Sequence, residues 1–113
     1  MNAERRGARR KPLDVQVTYR VNGQARAESY QVEAVNVSET GILLRTELPL
    51  AIGTEIELEF ALPGQTERLR LHGQVVWSNG VTDGGGRTFT GKGIHFTGYG
   101  AGCRALIAAY VGG

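Results

Sequence analysis

Five cations stand together near the start of the chain, in Glu4-Arg5-Arg6-Gly7-Ala8-Arg9-Arg10-Lys11. With Glu4 the only acid among the first eleven residues, that segment carries +4, while the other 102 residues sum to −2. Arg outnumbers Lys there, and a planar guanidinium fork pairs with phosphates and flat hydrogen-bonding faces better than an ammonium point charge does. Charges at this density repel one another unless an anion neutralises them, and residues 4–11 offer nothing apolar larger than Ala to bury. A second constellation is Asn36-Val37-Ser38-Glu39-Thr40-Gly41. In an extended chain Asn36 and Ser38 project to the same side, and Gly41 admits a close backbone approach or a positive φ. Short polar groups and a glycine at a strand corner suit a base edge or a sugar. Each feature also has a plainer reading: a basic terminus can simply be solvated, and Asn, Ser and Gly are ordinary turn residues.

The elements that must position these residues are mostly short strands. Pro12 fixes its own φ and restricts Lys11, so the cationic arm enters the first strand in a defined direction. From Leu13 to Val21 apolar and polar residues alternate, with Leu13, Val15, Val17, Tyr19 and Val21 on one face. Asn22-Gly23 predicts a hairpin, with a return strand from about Glu28 to Val37. Residues 42–46 form the next strand, and 54–60 another with Ile56, Leu58 and Phe60 inward and Glu55, Glu57 and Glu59 outward. After the Pro63-Gly64 turn come Arg68 to His72, a bulge at Gly73, and Val75, Val76 and Trp77. Arg68 and Arg70 are placed to pair with the outward Glu row. Residues 78–91, with Gly84-Gly85-Gly86, show no pattern and are expected to be a mobile hairpin loop. Ile94-His95-Phe96 is the last strand. Cys103, Leu106, Ile107 and Tyr110 recur at helical spacing, predicting a short C-terminal helix over about 100–111.

Composition bounds the rest. At 113 residues with 41% hydrophobic content the chain suits one domain with one core. Seventeen glycines exceed the usual share of about 7%, but apolar alternation continues between them, so they read as turn punctuation. One cysteine, Cys103, excludes an internal disulfide framework. No stretch approaches the roughly 20 apolar residues of a membrane span, and no apolar region follows the basic N-terminus as in a secretory signal. The expectation is a soluble, cytoplasmic protein of mainly β class: a small six- to seven-stranded antiparallel β-barrel, residues 13–113, with a short C-terminal helix and a flexible basic arm, residues 1–12.

In order and spacing, the two constellations resemble the PilZ domain family, whose pattern is Arg, three residues, Arg, then Asp or Asn, one residue, Ser, two residues, Gly. Arg6 and Arg10 match the first half, Asn36, Ser38 and Gly41 the second, and Arg5 the extra Arg that often precedes the motif. Gly73 to Trp77 and Gly93 to Phe96 also look like family strands, so the resemblance spans nearly the whole chain. It implies binding of cyclic di-GMP, two guanosines joined by two phosphates. Arg5, Arg6 and Arg10 would fork onto guanine O6 and N7 and neutralise the phosphates. Asn36 and Ser38 would bond a guanine edge, and Gly41 would keep that wall thin. Asn at position 36, where the family more often has Asp, keeps one acceptor and loses the charge. Arg5 and Arg9 share the four-residue spacing, so Arg9 is held as a second-rank contact. Trp77, as a stacking surface, and Gly93 are held with it.

Other chemistries are poorly served. His72 and His95 lack an acidic or Cys cluster, so no metal site is expected. No residue pair has spacing for acid–base or nucleophilic work, so no enzyme is expected. Gly84 to Gly86 has no Lys-Ser or Lys-Thr after it and is no phosphate loop. A single-stranded nucleic-acid barrel normally exposes several aromatics, and most of the eight here sit at core strand positions. The reading is a non-catalytic receptor whose arm orders on cyclic di-GMP and signals to an unidentified downstream protein. The alternatives are a PilZ-like adaptor working by protein contact alone and, less favoured, a nucleic-acid-binding barrel.

Overall fold

The structure, a computed structural model, describes residues 9–23 and 28–112. Among the described residues seven strands and one helix follow one another: β1 Lys11–Pro12, β2 Gln16–Val21, β3 Tyr30–Val37, β4 Gly41–Arg45, β5 Glu55–Ala61, β6 Arg68–Thr82, β7 Thr88–Tyr99 and α1 Cys103–Gly112. All pairings are antiparallel, in the order β1-β3-β2-β5-β6-β7-β4, and a β3–β4 pairing closes the sheet. Six strands thus form a closed barrel that leaves no open edge among them, and β1 is an extra strand beside the end of β3. The mainly β barrel with a C-terminal helix is the architecture the alternation predicts.

The interior follows the strand period. Val17 and Tyr19 from β2, Ile56, Leu58 and Phe60 from β5, and Leu69, Leu71 and Val75 from β6 are almost wholly buried with Ile42, Leu44 and Ile94. Outside, Glu59 accepts from Arg68 Nε at 3.2 Å and Arg70 Nε at 3.5 Å, as the outward rows predict. These pairs are exposed and contribute little. The helix closes the barrel with Cys103 and Ile107. No helix among the described residues is long and apolar enough to cross a bilayer.

Two expectations need correction. Residues 78–91 are no mobile loop: β6 continues to Thr82, β7 begins at Thr88, and a short turn joins them. Asp83 Oδ1 locks that turn by accepting the amides of Gly85 at 2.9 Å and Arg87 at 3.0 Å. The hairpin extends beyond the barrel with most of its residues exposed and only Phe89 and Gly91 of residues 78–91 buried, too few to leave a period in the sequence. The hairpin expected at Asn22-Gly23 is present as the antiparallel β2–β3 pair, whose register ends at Tyr19 and Tyr30. Arg20 and Val21 instead continue along β5, opposite Glu57 and Ile56. The expected first strand is interrupted, β1 and β2 being separated by residues 13–15; Leu13 still donates to Val35 O and Val15 O still accepts from Ala34.

Candidate functional site

The corner between β3 and β4 is built by Ser38. Its amide donates to Gly41 O at 2.8 Å, and its Oγ accepts the amides of Thr40 at 3.2 Å and Gly41 at 3.1 Å. Ser38 is fully buried, so its hydroxyl is engaged inside the turn. Gly41 pairs with His95 of β7, and a Cβ on it would lie 2.5 Å from Ile94 O. Close backbone approach, with φ in the ordinary negative range, is therefore what requires glycine there.

Asn36 reaches the surface through a bulge. The β3–β4 register runs Ala34↔Leu44 and then Asn36↔Leu43, leaving Val35 unpaired. Val32 and Ala34 are buried, and uninterrupted alternation would send Asn36 inward with them. The bulge reverses the phase: Val37 is buried and Asn36 is turned to the rim. Asn36 and Ser38 accordingly part company, one at the rim and one inside the corner.

Arg10 meets Asn36 there. Its Nη1 donates to Asn36 Oδ1 at 2.7 Å, and partial desolvation against the corner lowers the guanidinium pKa from its ordinary value. It stays a cation, since arginine does not deprotonate in proteins. β1 aims this side chain: Lys11 and Pro12 pair with Val37 and Asn36, so the residue before them passes the corner.

A second bulge brings in Trp77. The β6–β7 register passes from Val75↔Ile94 to Trp77↔Gly93, leaving Val76 unpaired. Val75 points inward and Trp77, by the same phase reversal, outward, where it remains 40% exposed. Its indole lies across Gly93, where a Cβ would come within 2.5 Å of Nε1. Gly93 is thus the seat of the Trp77 ring.

These parts enclose a groove of about 150 Å³ lined by Arg10, Thr40, Gly41, Val76, Trp77, Gly93, Ile94 and His95. Of the sequence-derived candidates, Arg10, Gly41, Trp77 and Gly93 line it, Asn36 holds Arg10 beside it, and Ser38 shapes its corner. Arg9 is exposed, and Arg5 and Arg6 lie outside the described residues. His95 and Thr40 were missed as lining residues; only the β4–β7 pairing, which sets His95 opposite Gly41 from 54 residues away in sequence, places it at the corner. His72 faces away, toward a larger groove of about 340 Å³ across β2, β5 and β6. There Arg20 and Arg70 are matched by Glu57 and Glu59, so that groove offers an anion little net attraction. Among the described residues no three His, Cys, Asp or Glu side chains gather as a metal would require.

A guanidinium held by an amide, an open indole face and a glycine-thinned wall can together bind a flat, anionic, hydrogen-bonding ligand. Solved structures share the fold. The chain resembles the inhibitor of motility MotI (DgrA) of Bacillus subtilis, with TM-score 0.76 and 16% identity over 98% of this chain and 51% of that one. The c-di-GMP-bound PilZ domain of YcgR from Escherichia coli gives TM-score 0.67 and 16% identity, over 96% and 89%. The MrkH–c-di-GMP complex of K. pneumonia gives 0.72 and 15%, over 96% and 51%. The chain therefore spans about half the length of MotI and MrkH. No curated protein sequence matches it significantly. The PilZ domain family model matches residues 4–113, nearly the whole chain, and the chain belongs to the PilZ domain family.

Proposed function

We propose that this domain is a non-catalytic receptor for cyclic di-GMP. The observation that carries the reading is the Arg10–Asn36 contact beside the Trp77–Gly93 groove. Two similar structures, of YcgR and MrkH, contain c-di-GMP, which supports the choice of ligand. Arg10 would fork onto a guanine edge or a phosphate, and Asn36 would hold it in place and offer its amide to the base. Trp77 would stack on a guanine face. Gly41 and Gly93 let the ligand approach the backbone, and Ser38 contributes through the corner it locks. A groove of 150 Å³ is smaller than the 300–1,000 Å³ typical of pockets for drug-sized ligands. The arm, residues 1–12, would supply the facing wall, with Arg6 as the second grip, Arg5 as support and Arg9 at its edge.

The coupling of ligand to output would be the ordering of the part of that arm ahead of Arg10 over the barrel of residues 13–113. Ordering a segment costs about 2–5 kcal/mol, offset by the ligand contacts. The new surface would be read by a downstream protein, in keeping with a cytoplasmic signalling role. Calorimetric titration with cyclic di-GMP, against GTP and single-stranded oligonucleotides, tests the reading. Heat with the dinucleotide alone supports it. No heat with any of the three at tens of micromolar protein would leave a protein-contact adaptor as the better description.

A further inference from the structure

The C-terminal helix packs on the barrel core through Cys103 and Ile107, and its two ends are also tied to residues beside the candidate site. α1 has ten residues, a length marginal by itself, and only Cys103 and Ile107 of it are buried. It has no basic residue in its last turn and no acidic residue in its first, so nothing on the helix complements its own dipole. Both charges come from the site. At the C-terminal end, Lys11 Nζ donates to Tyr110 O at 3.0 Å, a carbonyl with no partner inside the helix. The same ammonium stands 4.2 Å from the centre of the Tyr110 ring, and Tyr110 Oη donates to Pro12 O at 2.9 Å. At the N-terminal end, Glu39 of the β3–β4 corner accepts from Arg104 Nε at 3.1 Å, and its carbonyl accepts from Tyr99 Oη at 2.6 Å.

The Arg104–Glu39 pair is exposed and contributes little alone. The Lys11–Tyr110 clasp has three parts, is partly buried and grips β1 on one face. Successive residues of a strand point to opposite faces, so pinning Lys11 against α1 presents Arg10 to Asn36 on the other. We propose that Tyr110 is a positioning residue of the ligand site: by gripping Lys11 and Pro12 it sets the direction of the arm and couples docking of α1 to ligand binding. Linkage makes this coupling reciprocal, so ligand held by Arg10 tightens α1 on the barrel.

The proposal rests on the cyclic di-GMP reading, and one experiment separates the two. Cyclic di-GMP affinity is measured for the wild type, Tyr110→Ala, Lys11→Met and Lys11→Arg, and amide hydrogen exchange of α1 is followed with and without ligand. Tyr110→Ala removes no charge, so its effect is not loss of electrostatic attraction. Expected are losses of about 5- to 10-fold for Tyr110→Ala and Lys11→Met, near the low end of allosteric coupling, and rescue to within about 2-fold by Lys11→Arg. Exchange in α1 should slow about 5-fold on saturation of the wild type and not in Lys11→Met. A wild type that does not bind sinks the receptor reading. A wild type that binds, with either Tyr110→Ala binding equally well or α1 exchange indifferent to ligand, overturns the positioning role alone.

Discussion

Arg10 and Asn36, 26 residues apart, are joined by one hydrogen bond of 2.7 Å from Nη1 to Oδ1. The contact ties the end of the cationic arm to the rim of the barrel. It gives Arg10 a fixed direction. It also defines what the neutral amide does at a position where the family more often has an acid.

Asn36→Asp should tighten cyclic di-GMP binding about 5-fold. A carboxylate would hold Arg10 and accept from guanine N–H groups by charge-assisted bonds roughly twice as strong as neutral ones. Titration calorimetry at fixed salt checks this, and a weaker Asp variant would show that Asn36 matters mainly by leaving Arg10 free for the ligand.

Arg10→Ala should reduce affinity at least 100-fold, from loss of two or more hydrogen bonds to charged groups at about 1.5–3 kcal/mol each. Arg6→Ala should be comparable and His72→Ala silent. If Arg5→Ala and Arg9→Ala were the damaging pair, the grip would be shifted by one residue.

Trp77 is the only tryptophan, so its fluorescence reports on the groove directly. Cyclic di-GMP should quench it, and Trp77→Ala should weaken binding about 5- to 160-fold, since stacking on one base is worth about 1–3 kcal/mol. Unchanged emission at saturation, alongside measurable heat, would place the bases away from the indole.

Gly41→Ala should lower stability by about 1–3 kcal/mol in urea denaturation, because the new methyl meets the backbone at Ile94 O. Gly93→Ala meets a side chain instead. It should displace the Trp77 ring, change the emission spectrum and weaken ligand binding with a smaller loss of stability.

Alkaline pH should destabilise the barrel. Burial raises the pKa of Tyr19 above its ordinary value, against a bond to Thr46 that lowers it, and the neighbouring Tyr30 adds a smaller rise. Burial likewise raises Tyr99, while Tyr30 is raised first by its bond to Glu28. A raised pKa means that the folded protein holds its proton more tightly than the unfolded chain. That stability is complete below the unfolded value near 10 and is lost as pH rises through the folded values. Melting temperatures at pH 9 and pH 11 should therefore differ, and Tyr19→Phe should reduce the difference.

The sequence by itself determined the strand count, the inward residues and the pairing of Glu59 with Arg68 and Arg70, because a strand with one face in the core must alternate. It also marked Arg10, Asn36, Ser38 and Gly41, whose order and spacing are local properties of the chain. Tertiary structure decided which way they point. The bulges at Val35 and Val76 reverse the alternation and turn Asn36 and Trp77 out to the rim, and no residue type there announces a bulge. Ser38 went inward because the corner needed its hydroxyl. His95 joined the groove, and Tyr110 reached Lys11 across 99 residues, only through barrel closure and the return of the helix. Local periodicity encodes which residues a strand buries; it carries no information about which distant strand or helix will lie beside them, and that adjacency is what makes the site.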